Sequence, residues 1–240
     1  SGKTTTLYAA LHALNTPDKK ILTVEDPVEY QLEGINQIQV KPQIGLSFAN
    51  ALRSILRQDP DVIMIGEMRD LETAKIAVQA ALTGHKVLST LHTNDAASSI
   101  SRMLDMGVED FLLTSTVNGV LAQRLVRVLC EQCKESYQVG PELAEDLGLA
   151  RISDDRDLTL YRPVGCDACE ATGYRGRTCI VELLIMTDDV RRTILDHGDA
   201  TAIHASAFTR GTKTMHEDGL GKALAGITSV EEVERVTREA

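Results

Sequence analysis

The chain has 240 residues, enough to bury one large core or a core with appendages. Hydrophobic residues make up 43% and charged residues 25%, as in an ordinary globular protein, but aromatics reach only 3% and Trp is absent, so an aliphatic core is expected. A formal net charge of −10 argues against nucleic-acid binding across the whole surface, and no apolar run approaches the length of a membrane span.

In chain order, Ser1-Gly2-Lys3-Thr4-Thr5 reads as the closing half of G-x-x-x-x-G-K-[ST]. In that loop, backbone N–H groups and a helix N-terminus cradle phosphates, the Lys reaches the β- and γ-phosphates, and the Thr holds Mg2+. The chain starts inside the motif and without Met, so a fragment of a longer protein is expected and a leader peptide is untested. A helix is predicted from Thr4 to Leu14, then a short buried strand from Ile21 to Val24. Ser47 caps a helix whose apolar positions Phe48, Ala49, Leu52, Ile55 and Leu56 keep helical spacing. Val62 to Ile65 is a continuous apolar run, as in a parallel strand covered on both faces. A helix from Leu71 to Leu82 ends at Gly84, a strand covers Val87 to Leu91, and Asp95 caps a helix closed by Gly107. This alternation predicts a three-layer α/β fold. Between Cys130 and Cys179 the pattern breaks into a segment containing Gly, Pro and Asp without periodicity. Short helices return from Glu182 onward, the last from Val230 to Glu239 behind a Ser229 cap. There is no internal repeat and no low-complexity tract.

Parallel sheets bind ligands beyond the carboxyl ends of their strands. Three predicted strands end in polar clusters: Ile21–Val24 in Glu25-Asp26-Pro27-Val28-Glu29, Val62–Ile65 in Gly66-Glu67-Met68-Arg69-Asp70, and Val87–Leu91 in His92-Thr93-Asn94. His85 just precedes the third. Carboxylates that hold metal-bound water or orient an attacking water, and donors near a leaving phosphate, are the groups phosphoryl transfer uses. Gly66 would let the backbone approach a ligand closely. Each cluster also has a structural explanation. Asp70 and Asp95 can simply cap the helices that follow, a lone His92 can be a satisfied structural histidine, and Met64, Met68, Met103 and Met106 fill core. Co-occurrence behind half a phosphate loop favours the functional alternative.

Five cysteines include two C-x-x-C pairs, Cys130/Cys133 and Cys166/Cys169. Two such knuckles can give four thiolates to one tetrahedral Zn2+, with Gly165 and Gly173 permitting the tight turns of the second. Four thiolates leave no open position, so the metal would be structural. Free or redox-active thiols are the alternative, and Cys179 is expected to be a buried free thiol.

The stretches SGKTTTLYAAL, ILTVEDPVEY, LRSILRQDPDVIMIGEMRD, TGHKVLSTLHTNDA, the paired C-x-x-C, GYRGR and EDGL…AGITSVEEV together resemble the secretion ATPase superfamily. The branch most similar is the type II secretion system ATPases (general secretion pathway protein E), close to the type IV pilus assembly ATPases. The resemblance covers essentially the whole chain. It implies a RecA-type P-loop NTPase core over 1–129, a tetracysteine zinc-binding subdomain over 130–178, and a C-terminal helical subdomain over 179–240. It implies ATP, Mg2+ and Zn2+ as cofactors. Ser1, Gly2, Lys3, Thr4 and Thr5 would belong to the phosphate loop, Glu25, Asp26 and Glu29 to an acidic box, Gly66 and Glu67 to an atypical Walker B, and His85 and His92 to a histidine box. Glu67 is favoured as the group that activates water, with Glu25 as the alternative, and His92 would sense or stabilise the γ-phosphate. Arg53, Arg57 and Arg69 are weaker candidates for nucleotide or intersubunit contacts. The resemblance further implies a homo-hexamer whose sites are completed by a preceding domain, so that this stretch alone would be impaired. It also implies a cytoplasmic location, peripheral on the inner membrane through platform proteins, with no direct nucleic-acid partner. Thr178-Cys179-Ile180-Val181 and Thr214-Met215-His216 depart from the family pattern without touching the proposed chemistry.

Two rivals remain open at this level. A pilus assembly or DNA-uptake motor has the same chemistry with a different cargo. A zinc-bearing nucleic-acid motor is disfavoured by the acidic chain and by the lack of basic–aromatic interleaving around the cysteines.

Overall fold

The computed structural model describes residues 2–153, 155, 157–208 and 212–238. Ser1 and Glu239, both named in the sequence reading, lie outside them. In chain order the elements are α1 (Lys3–Leu14), β1 (Ile21–Glu25), β2 (Asn36–Gln39), α2 (Phe48–Leu56), β3 (Val62–Ile65), α3 (Leu71–Leu82), β4 (Lys86–Ser89), α4 (Ala96–Asp105) and α5 (Asp110–Thr116). They continue as β5 (Gly119–Leu129), β6 (Glu135–Val139), α6 (Pro141–Asp146), β7 (Leu158–Arg162), β8 (Tyr174–Ile185), α7 (Asp188–Leu195), α8 (Ala200–Ala207), α9 (Met215–Leu224) and α10 (Val230–Arg238). The chain divides into two compact units. One comprises 3–120 and 185–207; the other comprises 1–2, 121–184 and 208–240.

The first unit is built on a four-stranded sheet in the order β2-β1-β3-β4, with every neighbouring pair parallel. Side chains alternate between the faces of a strand, and this parity sorts the core. Leu22, Val24, Ile63 and Ile65 pack with Ala49, Leu52 and Ile55 of α2 and Ala77 and Ala80 of α3. Ile21, Val62 and Met64 pack on the opposite face with Tyr8 and Leu11 of α1. Helices therefore cover both faces, and the predicted three-layer α/β arrangement is what forms. β1 and β3 are buried along their whole length, which is why they read as uninterrupted apolar runs.

The helix starts follow local chemistry. Ser47, Asp70 and Asp95 each accept the N–H three residues on, from Asn50 at 3.2 Å, Thr73 at 2.8 Å and Ser98 at 2.7 Å. Asp70 and Asp95 thus serve as caps, the structural alternative for both. β4 leaves the ladder at Ser89, two residues before the expected end, because Thr90 turns to bond the β3 exit. Its hydroxyl donates to the Gly66 carbonyl at 2.7 Å, and its carbonyl accepts from Met68 N–H at 3.0 Å.

In the second unit β5 pairs with β8, and β6 pairs antiparallel with β7, Glu135 opposite Arg162 and Val139 opposite Leu158. The aperiodic stretch between Cys130 and Cys179 therefore holds β6, α6, β7 and the start of β8. Val139, Leu149, Leu158 and Leu160 form a small core with Leu220 and Ala223 of α9 and Val230 of α10. The residues from Gly226 to α10 clamp the cysteine-bearing segment. Ile227 O accepts from Leu129 N–H at 2.9 Å, Thr228 Oγ1 donates to Arg127 O at 2.8 Å, and Lys134 Nζ donates to Gly226 O at 3.0 Å.

Glu232 closes this clamp. It is 1% exposed, and its carboxylate accepts from the Arg127 N–H at 3.0 Å, the Arg127 guanidinium at 2.7 Å and the Arg235 guanidinium at 2.8 Å. Arg127 also lies 4.0 Å from the centre of the Tyr174 ring, whose hydroxyl meets Ser229 Oγ at 2.8 Å. Burial pushes the Glu232 carboxyl up, but Arg235 and Arg127 more than offset this and bring it down to about 2. A depressed carboxylate stabilises the fold fully above its unfolded value of about 4.3, and that contribution is lost as pH falls towards 2. Glu232→Gln is expected to lower the unfolding free energy by on the order of 2 kcal/mol at pH 7. Urea titrations across pH should show the gap between the two proteins closing below about pH 4; a gap that stays constant as pH falls to about 2 would contradict the assignment.

Candidate functional site

The site forms where β1, β3 and β4 end. Lys3 opens α1, directly after Gly2, whose φ of +74° suits a loop residue feeding a helix. Its ammonium donates to Leu91 O at 3.1 Å and meets His92 Nδ1 at 3.3 Å. An ammonium can only donate, so His92 Nδ1 accepts and the ring proton resides on Nε2. That nitrogen lies 3.2 Å from Glu67 Oε2, so His92 bridges Lys3 to Glu67. The other Glu67 oxygen is held by the Arg69 guanidinium.

The charges around Glu67 are nearly balanced. Burial pushes its carboxyl up, while Arg69 and then His92 more than offset this and hold it below the usual range. Burial lowers the Lys3 ammonium, and the Glu67 carboxylate opposes that shift. The Glu67 contact raises Arg69 further, with a smaller contribution from Asp26. Glu67 is buried, whereas the His92 and Arg69 side chains are 73% and 66% exposed. A shielded carboxylate beside exposed cationic and imidazole partners can orient a water and respond to an arriving anion. Thr4 and Thr5 are exposed on the first turn of α1, and Asp26 and Glu29 are exposed after β1.

Glu25 is placed differently. It is 3% exposed and points to the α1 face with Ile21 and Thr23. One oxygen accepts from the Tyr8 hydroxyl, the other from Thr23 Oγ1 at 2.5 Å and Gln37 Nε2 at 3.0 Å. Gly66 serves the sheet first. A Cβ there would lie 3.3 Å from Val24 O and 3.4 Å from Glu25 Cα, and its N–H donates to Val24 O at 2.7 Å.

The structure does not bring every candidate together. His85 precedes β4, at the amino end of the sheet, with Nδ1 2.7 Å from Pro60 O. Arg53 pairs with Glu72 at 2.5 Å, and Arg57 reaches Ser54 at 3.5 Å. Tyr8, Thr23 and Gln37 escaped the sequence reading. The available signal was the shared parity of Thr23 and Glu25, which aims both at the helix carrying Tyr8.

In the other unit Cys130, Cys133, Cys166 and Cys169 have all sulfurs within 4.8 Å of one another, and none is in a disulfide. The sulfurs stand 3.9 Å apart for Cys130–Cys166 and 3.8 Å apart for both Cys133–Cys169 and Cys166–Cys169. Four sulfurs about 2.3 Å from a tetrahedral metal would stand about 3.8 Å apart, so the quartet fits one such ion. N–H groups of Gly165 and Gly173 point at the Cys133 and Cys169 sulfurs at 3.3 and 3.2 Å. A Cβ at Gly165 would lie 2.7 Å from Ala171 O, and one at Gly173 2.4 Å from Pro163 Cβ, so both positions require glycine. Cys179 is half-buried and stands outside the quartet.

Solved structures share this fold. The pilus retraction motor PilT with bound ADP matches with a TM-score of 0.70 at 29% identity, over 98% of this chain and 58% of that one. The Legionella pneumophila ATPase DotB matches with a TM-score of 0.67 at 26% identity, over 100% and 57%. The fold is thus the α/β parallel-sheet fold of these ATPases, and this chain carries a tetracysteine cluster. Residues 1–235 match the Type II/IV secretion system protein family, and the chain belongs to it.

Among curated relatives, the type II secretion system protein E of Xanthomonas campestris pv. campestris is 64% identical over the whole chain and 42% of its own length. Its counterpart in Vibrio cholerae is 52% identical, over 47% of its length. The type IV pilus assembly ATPase PilB of Thermus thermophilus is 54% identical over 97% of this chain and 26% of its own length. The chain spans less than half the length of these curated relatives. Because Arg69 contributes most to holding Glu67 down, Arg69→Gln is expected to raise the Glu67 carboxyl pKa. Carboxyl-carbon NMR titration measures it, and an unmoved Glu67 resonance midpoint would contradict the ion pair.

Proposed function

We propose that this chain is the nucleotide-hydrolysing part of a cytoplasmic ATPase that turns over MgATP to power protein export through a type II secretion system. The observation that carries the reading is the Lys3–His92–Glu67 chain at the carboxyl ends of parallel strands, in a member of this family. Gly2, Lys3, Thr4 and Thr5, with Ser1 before them, would hold the phosphates. Mg2+, when bound at Thr4, would supply positive charge to the β- and γ-phosphates. Asp26 and Glu29 would accept hydrogen bonds from the water around that ion. Lys3 would exchange its Leu91 and His92 partners for phosphate oxygens. His92, freed from Lys3, would then be able to meet the γ-phosphate. Glu67, held in its carboxylate form, would orient the attacking water and accept its proton. His85 and the exposed Arg69 would act at a neighbouring subunit's face in a homo-hexamer.

The functional organisation we assign is an ATPase core over 1–129, a zinc arm over 130–178 and C-terminal helices over 179–240. Zn2+ would be held by Cys130, Cys133, Cys166 and Cys169, with no open position for substrate, so its contribution would be to folding. The exporting assembly would meet inner-membrane platform proteins at the cytoplasmic face. Among the described residues no helix is long and apolar enough to cross a membrane, and attachment through partners is consistent with that. Pilus assembly is the second reading, supported by the 54% identity to the Thermus thermophilus pilus ATPase. Co-purification with secretion or pilus platform proteins separates the two.

In the full-length protein, Glu67→Gln is expected to keep ATP binding within about twofold and to lose about a hundredfold or more of turnover. Hydrolysis undiminished in that variant would exclude Glu67 as the base. Metal analysis is expected to find about one zinc per chain, lost in Cys133→Ser. Unchanged zinc content in that variant would exclude the four-thiolate site.

A further inference from the structure

The acidic segment that begins with the last residue of β1 carries three carboxylates, and they do not share one environment. Asp26 and Glu29 are exposed, while Glu25 is buried and every hydrogen-bonding direction observed for it points into protein. Tyr8 donates to one oxygen, and Thr23 and Gln37 donate to the other. Tyr8 does more than hold Glu25. Its hydroxyl oxygen accepts from Glu29 N–H at 3.3 Å and from Gln37 Nε2 at 3.3 Å. Its ring meets the Tyr30 ring edge-on at 4.7 Å. Gln37 extends the same network, donating to Tyr30 O at 3.2 Å and accepting from Leu32 N–H at 2.7 Å.

One buried carboxylate thus gathers the phosphate-loop helix, the end of β1, the edge strand β2 and the turn from Asp26 to Leu32. Strand parity explains the assembly. Thr23 and Glu25 share the α1 face, and in the parallel register Thr23 stands beside Gln37, which places that amide on the same face. Tyr8 sits five residues after Lys3, so a single helix carries both the candidate phosphate ligand and the hydroxyl that fixes the acidic turn.

We infer that Glu25 is a positioning residue and not the base: with Tyr8, Thr23 and Gln37 it forms a buried clasp that fixes the exposed carboxylates Asp26 and Glu29 relative to Lys3. This rests on the ATPase reading and deepens it. Three protein donors occupy most of the roughly four lone-pair sites of the Glu25 carboxylate, and its burial shields it from solvent, whereas Glu67 shares its oxygens with two exposed, displaceable partners. Burial and the Glu25 contact push the Tyr8 phenol up to about 12, so it stays protonated and donates throughout the working pH range. A clasp needs an acceptor at position 25 and not a charge. Gln can keep its oxygen towards Thr23 and Gln37 and gives up only the acceptor facing the Tyr8 hydroxyl; Ala gives up all three.

The test compares Glu25→Gln, Glu25→Ala, Tyr8→Phe and Gln37→Met in the full-length protein, measuring kcat and KM for MgATP with thermal unfolding alongside. Glu25→Gln is expected to lose no more than about tenfold in kcat and to exceed Glu25→Ala by about tenfold or more, with KM within about twofold in both. Tyr8→Phe keeps the ring stack and is expected to lower kcat about three- to tenfold; combined with Glu25→Gln it should cost little more than the worse single change. Gln37→Met, on the partly exposed edge strand, is expected to match Tyr8→Phe and serves if a Tyr8 variant fails to fold. Equal loss of about a hundredfold in folded Glu25→Gln and Glu25→Ala would make Glu25 the base and overturn the inference. Unchanged kcat in both folded Tyr8→Phe and Gln37→Met would also overturn it. A wild-type protein without MgATP turnover would instead remove the ATPase reading on which the clasp rests.

Discussion

Strands that run in the same direction release their polar tails at the same edge, and the first unit of this chain follows from that constraint. β1, β3 and β4 are all parallel, so Glu25 to Glu29, Glu67 to Arg69 and His92 emerge together. Two hydrogen bonds from Thr90, one each way, keep the second and third exits adjacent past the end of the ladder. Lys3 arrives from the start of α1, whose Tyr8 and Leu11 are seated on the same sheet. The candidate chemistry depends on this seating more than on any single contact.

Within the cluster, charge is distributed so that each group is partly compensated. Lys3, His92, Glu67 and Arg69 form a run of paired polar groups, with Asp26 adding a weak electrostatic pull on Arg69; most lie at the surface, where such pairs are individually weak. Weak pairs exchange partners readily, as the proposed rebinding of Lys3 to phosphate would require. Glu25 lies beneath them as the strongly held member, packed among Tyr8, Thr23 and Gln37. The second unit shows the same division. The buried, doubly paired Glu232 fixes α10, and the sulfur quartet lies next to the segment that α10 helps to clamp.

Much of the first unit was readable from residue pattern because buried parallel strands and capped helices leave strong local signals. Val62–Ile65, the helices behind Ser47, Asp70 and Asp95, and the cysteine knuckles all formed where their chemistry pointed. β2 did not show, because Asn36-Gln37-Ile38-Gln39 is a polar edge strand whose pairing with β1 is its main reason to be extended. β6 and β7 are short, half-exposed and defined by each other, so no single window could reveal them. The distinction between Glu25 and Glu67 was equally hidden. Both follow strands, and only the parity of Thr23, the position of Tyr8 on α1 and the register of Gln37 separate a clasped carboxylate from an addressable one.

The proposed ATPase activity requires Lys3, Glu67 and His92 to converge on one triphosphate. A crystal structure of the full-length protein with Mg2+ and a non-hydrolysable ATP analogue tests it most directly. The γ-phosphate is expected on Lys3 Nζ, in place of Leu91 O and His92 Nδ1, with Glu67 facing it. An analogue bound elsewhere, with Lys3 still on Leu91 and His92, would contradict it.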